Sequence, residues 1–264
     1  MTHLVAAAAG LILIQGLVFL VWIAAYRVQK TSIVDTFWSL LVFVAAVSYF
    51  FIFPSQPPVS IFYISLAAFW ALRLSLHIHF KGRGQGEDPR YRALRQKWGA
   101  DEKRRMLIFY IQQGFAAWIF SLPFFVMFAN PTGLFQLWQI IGTFIWIAAF
   151  NGESIADAQL LAFKKEPVNK GRVCRTGLWK YSRHPNYFFE WLNWVAYAWL
   201  ALPQPGGWIA SMCPAIMYYF LTQISGIPLA EKQALQSRPV EYAEYQRTTS
   251  AFFPWFPKRK DELL

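Results

Sequence analysis

The sequence predicts an all-α, polytopic membrane protein with about seven transmembrane helices, its N-terminus outside and its C-terminus cytoplasmic. Three observations carry that expectation. Of 264 residues, 56% are hydrophobic and 19% aromatic, which is too apolar for a soluble domain of this size. Apolar runs of about 20 residues, the length that crosses roughly 30 Å of hydrocarbon, recur along the chain. Apart from Arg73, the 25 basic residues fall only in alternate gaps between those runs.

The first run, 4–26, lacks a basic leader and ends in "AAYRVQK" rather than a cleavage site, so it reads as a retained helix rather than a signal peptide. The second, 33–53, opens in "SIVDTFWSL", where Asp35 either caps the helix start or lines a polar chamber. The third, 59–80, carries Arg73 and His77 four residues apart, hence on one helix face. Nine basic residues follow in 81–105. Within that loop Gly82, Gly84 and Gly86 alternate with Lys81 and Arg83, a pattern that suits either a phosphate-approaching backbone or a flexible lipid-facing loop. "GEDPRY" (86–91) reads as a turn whose Asp88 pairs with Arg90 or Arg92.

The fourth and fifth runs are 107–128 and 134–156. The fifth leads into "NGESIADAQLLAFKK", which sets Glu153 and Asp157 one turn apart, with Lys164 and Lys165 about two turns further on. Like charges at that spacing repel, so the pair either accepts hydrogen bonds from a ligand or is neutralised by loop arginines. Seven basic residues occupy 164–183. The sixth run, 187–203, is preceded by "KYSRHPNYFFEW". Pro185 suits the first position of a helix. Asn186 and Glu190 then share a face, while Arg183 and His184 stand at the aqueous mouth. The seventh run is 207–229, and six basic residues follow from Lys232.

The gaps "FPSQPPVS", "ANPTG" and "LPQPGG" contain no Lys or Arg, which makes them the outer loops. The net charge of +11 is therefore a topology signal and a contact with anionic lipid rather than a nucleic-acid surface. Cys174 falls in a cytoplasmic loop and Cys213 inside the seventh run, so no structural disulfide is expected, and no metal site is read. None of the 14 acidic residues lies in an outer loop, and Asp35, Glu153, Asp157, Glu190 and Glu231 sit where runs meet the cytoplasm. Ionisable groups at that depth need partners or a wet cavity. With no repeat and no long linker, residues 1–264 read as a single domain.

The motifs "VDTFW", "GEDPRY", "GLWKYSRHPNYFFEW" and "PVEYAEYQRTTSAFFPWFP" together resemble a bacterial member of the steroid 5-alpha-reductase-like membrane superfamily, in its domain-of-unknown-function branch. More distantly the chain is similar to isoprenylcysteine carboxyl methyltransferases. The resemblance implies a cytoplasm-facing NADPH cavity built from about 73–264, and a steroid-like, isoprenoid or other lipid substrate entering from the bilayer. Carried over position by position, it places cofactor contacts at Asn186, Glu190, Asp157, Lys164, Tyr245 and Arg73. Lys81, Arg83, Arg183, His184 and Tyr187 join them as cofactor-binding candidates, the basic loop residues for the phosphates.

The catalytic pattern departs from the reductases. The second run has no carboxylate beyond Asp35, and Trp70 stands where the reductases place a Tyr. His77, Tyr187 and Asp35 remain as proton-donor candidates. The expected chemistry is hydride transfer from NADPH to an activated carbon–carbon double bond. The rival expectations are an S-adenosylmethionine-dependent methyltransferase and a non-enzymatic lipid-binding protein.

Overall fold

Helices supply the regular structure throughout the computed structural model, and no strand occurs among the described residues, 2–54, 56–84, 86–131 and 136–258. Four helical segments are long and apolar enough to cross a membrane: α1 (Thr2–Arg27), α2 (Ile33–Ile52), α3 (Pro58–Lys81) and the stretch Pro89–Ala129. The first three match the expected runs to within a few residues. The fourth contains the expected 107–128 but is longer and jointed: α4 (Pro89–Trp98), a 3-10 turn, α5 (Glu102–Phe120) and α6 (Leu122–Ala129). The expected outer loop 129–133, Gln85 of the glycine-rich loop and the tail beyond 258 fall partly or wholly outside the described residues.

The chain divides into two compact units. The first comprises Met1–Phe135 with Ala201–Ala210, and the second Gln136–Leu200 with Ser211–Leu264.

In the first unit α2 is central and packs on α1, α3, α5 and α6. α1 buries Ala6, Gly10, Ile14, Val18, Val21 and Ala25, one residue every three or four, while Leu4, Ile12, Phe19 and Leu20 face outward. That is the division expected of a helix with protein on one side and lipid on the other. Gly10 permits the close approach of α1 to α2, because a Cβ there would collide with the Tyr49 ring. The Tyr49 hydroxyl in turn is 3.0 Å from Ser121 Oγ. α4 starts with Pro89 at its first turn, and the Asp88 carboxylate accepts from the Arg90 backbone N–H at 2.8 Å.

The second unit is built on an antiparallel pair, α7 (Leu137–Lys165) and α8 (Pro185–Ala201). Trp138 and Trp199 stack at 4.1 Å with planes 7° apart, and each indole donates to the other's carbonyl. Further along, Trp146 donates to the Tyr197 hydroxyl at 2.9 Å. Gly142 faces Leu200, and Gly152 faces the Phe189 ring, both so closely that a Cβ would clash.

The expected seventh run is not one helix. It consists of a 3-10 segment at Gly207–Ser211, α9 (Met212–Tyr219) and a π-helical turn at Phe220–Ile224. α10 (Ile227–Ser237) and α11 (Pro239–Thr248) follow. The break falls at Gly226, where a Cβ would lie 2.6 Å from the Leu221 carbonyl oxygen, and Pro228 then restarts the helix.

Candidate functional site

The site in the second unit begins at the start of α8. Ser182 Oγ accepts from the His184 backbone N–H at 3.1 Å and donates to the Phe252 carbonyl at 2.9 Å. Pro185 is the first residue of α8, as its fixed backbone angle predicts. From there the side chains at 186, 190, 193 and 197 descend one face of α8 against 157, 153 and 146 of α7. The Asn186 amide donates to Asp157 Oδ1 at 3.3 Å, and the Asn193 amide reaches Glu153 Oε2 at 3.5 Å. Glu190 accepts from the Trp194 indole at 3.0 Å. Glu153, Asp157, Glu190 and Asn193 are all buried. The Asn186 and Asn193 amides and the Trp194 indole supply donors to these three carboxylates, which is what makes their burial in an apolar helix pair tolerable.

The loop before α8 folds back on the end of α7. Leu178 N–H donates to Gln159 Oε1 at 2.9 Å and the Trp179 indole to the Ala156 carbonyl at 2.9 Å. Gly177, at φ 59°, makes the turn that lies against the Gln159 side chain.

Arg183 and His184 hold the C-terminal helices. Arg183 Nε donates to Glu231 Oε1 at 2.7 Å, its Nη1 to the Gln246 and Thr249 carbonyls, and its backbone N–H to the Ser250 carbonyl at 2.8 Å. His184 Nε2 lies 3.2 Å from the same Glu231 oxygen, with its ring stacked on Tyr187 at 5.4 Å. Gln246 donates to the other Glu231 oxygen at 2.6 Å. Burial pushes the Glu231 carboxyl up, but the hydrogen bonds from His184 and Arg183, the Arg183 charge and the Gln246 amide outweigh it and hold the group at about 2. Burial also lowers His184, against the pull of Glu231. The Tyr245 hydroxyl reaches the Trp179 and Ser182 carbonyls, and the Arg175 guanidinium lies over its ring. Lys164 ends α7.

Arg73, His77, Lys81, Arg83 and Asp35 belong to the first unit. Arg73 and His77 are half-buried on α3, and Lys81 and Arg83 are exposed at and beyond its end. Asp35 is not the cap of α2. It sits in the first turn, where its carboxylate accepts from Arg90 Nη2 at 2.9 Å and from the Tyr91 hydroxyl. Glu87 fixes the residues just before the helix, accepting the backbone N–H groups of Thr31 and Ser32 and the Thr31 hydroxyl. Burial would raise Glu87, yet these bonds to Thr31 and Ser32 hold it below its usual range. Asp88 pairs with Arg90 rather than Arg92, whose guanidinium turns to the Glu87 carbonyl.

Asn193, Gln246 and Tyr91 escaped the sequence reading, although Asn193, seven residues after Asn186, was detectable as the next position on the same helical face.

The sequence pattern of a family described as a protein of unknown function, DUF1295, matches residues 21–249. The chain belongs to the DUF1295 family. Its matched region includes Asn186, Asp157, Glu190, Arg183, His184 and Glu231, and the family is the steroid 5-alpha-reductase-like branch that the motifs resemble. The DUF1295 chain is also similar to the uncharacterized protein C594.04c of Schizosaccharomyces pombe, with 25% identity over 93% of this chain and 78% of the relative. No solved structure matches it.

Proposed function

We propose that this DUF1295 protein is an NADPH-dependent membrane reductase acting on a carbon–carbon double bond of a steroid-like, isoprenoid or other lipid. The observation that carries the reading is the Asn186–Asp157 pair, an amide donor and a carboxylate acceptor 3.3 Å apart at the start of α8. Together the two groups offer one donor and one acceptor, the complement of a carboxamide, and Glu190 one turn below adds an acceptor for a hydroxyl. The residues present therefore fit the nicotinamide end of the cofactor. When bound, NADPH supplies hydride, while this chain orients, desolvates and neutralises. The buried seam of Glu153, Asp157 and Glu190 supplies pre-placed hydrogen-bond acceptors, and the packed α7–α8 pair keeps water out.

The same three carboxylates are the observation that favours a second reading, because a cationic sulfonium would suit them. S-adenosylmethionine is therefore the competing ligand. The topology we propose has seven crossings, with α7, α8 and the α9–π segment added to the four long apolar segments, the N-terminus outside and the basic loops in the cytoplasm.

Thermal melting of the purified protein in mild detergent tests the chemistry. A ligand present at about 100 times its Kd stabilises the folded form by roughly 2.7 kcal/mol, so NADPH is expected to raise Tm by several degrees and S-adenosylmethionine to leave it unchanged. Asn186→Ala and Glu190→Ala should each remove the NADPH shift. A Tm indifferent to NADPH at large excess would end the reductase reading.

A further inference from the structure

The C-terminal motif "AFFPWFP" (251–257) lies outside all seven apolar runs. After α11 the chain turns back across the start of α8 as an extended strap, 250–258. Its backbone is pinned at four points. The Ser250 carbonyl accepts from the Arg183 backbone N–H at 2.8 Å, and the Phe252 carbonyl from Ser182 Oγ at 2.9 Å. Trp255 N–H donates to the Tyr181 carbonyl at 2.9 Å, and Lys258 N–H to the Thr248 carbonyl at 2.9 Å. Phe252 is buried, its ring 5.9 Å from Phe188, 5.8 Å from Trp191 and 5.3 Å from Tyr218. Phe253 meets the same three rings but is 49% exposed, and Trp255 and Phe256 are 72% and 77% exposed. Large aromatic side chains held outward on a pinned backbone mark an interaction surface.

We propose that the strap is an interfacial anchor, with Phe253, Trp255 and Phe256 inserted into the cytoplasmic leaflet at the boundary between headgroups and acyl chains. Its level on the fold fits that boundary. Phe188 and Trp191, which Phe253 touches, follow the first residue of α8 by three and six positions, or about 4.5 and 9 Å along the helix axis. Interfacial apolar groups settle about 5–10 Å into the same boundary. The backbone suits it too. Pro254 and Pro257 have no N–H, and the N–H groups of Trp255 and Lys258 are used inside the protein, which removes most of the amide cost that keeps irregular backbone out of lipid. The charge around the strap has the matching sign. Phe256 packs edge-on against Tyr181, the exposed Lys180 ammonium lies over that Tyr181 ring, Lys258 is exposed, and Arg259 and Lys260 follow in the sequence. Aromatic insertion beside basic groups is the combination that holds a segment to an anionic leaflet. The proposal rests on α8 and α9 crossing the bilayer and does not depend on the identity of the cofactor.

The test measures depth in the membrane. Phe253→Cys, Phe256→Cys, Ala215→Cys and Gln236→Cys, each in the full chain, would carry a nitroxide label in vesicles of phosphatidylcholine and phosphatidylglycerol. Depth is read from the label's accessibility to oxygen against that to a water-soluble nickel chelate. Cys174 and Cys213 are buried, so the label reports the new site. Because the Phe256 side chain is largely exposed and the strap is pinned through its backbone, Phe256→Cys should melt like the parent in detergent. The label at 253 is expected about 5–10 Å below the phosphates, with the label at 256 between it and the phosphate level. Ala215, exposed on α9 and near the middle of 207–224, should report a deeper position than either, and Gln236, exposed on α10, should report water.

Nickel access at 253 and 256 as free as at 236 would overturn the proposal. So would labels shielded from both oxygen and nickel whose spectra broaden as more copies are placed in each vesicle, since the strap would then be a contact between copies. A deep label at 215 with aqueous labels at 253 and 256 would remove the anchor and leave the crossing of α9 standing, whereas an aqueous label at 215 would sink that crossing and the anchor with it. Melting that ignores NADPH, alongside the expected depths, would end the reductase reading and leave the anchor in place.

Discussion

Glu231 carries a full charge into a position where its side chain is only 13% exposed, and Arg183, His184, Gln246 and Tyr242 all converge on it. A carboxyl held at about 2 stabilises the fold above its ordinary titration range near 4.5, and that contribution disappears as pH falls from there toward 2. The shift is worth at most about 3 kcal/mol. Glu231→Gln should therefore lower Tm clearly at pH 7, and the gap between variant and parent should close on acidification below about 4.5. A gap that stays constant down to pH 3 would show that the carboxylate charge is not what ties Arg183 to α10. The unusual polarity of Ser182-Arg183-His184 was legible in the sequence. Its purpose was not, because Glu231 lies 48 residues from Arg183 and Gln246 a further 15 along. A guanidinium at a membrane edge reads equally well as a ligand contact and as an internal clamp until its neighbours are placed.

At the scale of elements, α7 and α8 are joined by small residues as much as by polar ones. Gly152 leaves room for the Phe189 ring, and any side chain there must displace it. Gly152→Val should destabilise the protein by about 1–3 kcal/mol. Adding Phe189→Leu, which shortens the opposing side chain, should recover part of that loss in a double-mutant cycle on thermal or detergent-denaturation data. Strict additivity of the two changes would mean that the two helices do not meet there. Pro185 announced the start of α8, and the length of the apolar runs announced α1 to α3, since a local backbone preference and a local count of apolar residues suffice for each. The jointed segment after residue 207 was not announced. Its π turn and the contact that forbids a Cβ at Gly226 depend on how neighbouring turns pack, and an apolar run looks the same with or without them. Asp35 is a similar case. Its place near the start of α2 suggested a cap, and its carboxylate instead takes Arg90 and Tyr91, more than 50 residues later.

For the whole molecule, the distribution of basic residues predicts which loops face each side of the membrane. Pro205→Cys, in the exposed gap after α8, should react with an impermeant maleimide in intact cells, whereas Lys170→Cys should react only after permeabilisation. The native thiols Cys174 and Cys213 are buried, which keeps the background low. Labelling of both sites from outside would overturn the seven-crossing topology.

The sequence by itself determined that the chain is helical, that at least four segments have the length and apolarity to cross a bilayer, and which family it joins. Those properties are one-dimensional, since hydrocarbon thickness sets a run length and family motifs are read along the chain. Only the tertiary structure decided which polar groups meet. It sent Asn186 to Asp157 and Asn193 to Glu153, and it took Arg183 and His184 for Glu231. Hydrogen bonds and ion pairs act over about 3 Å in space without regard to separation along the chain, so composition can show that such partners are needed and cannot show which ones they are.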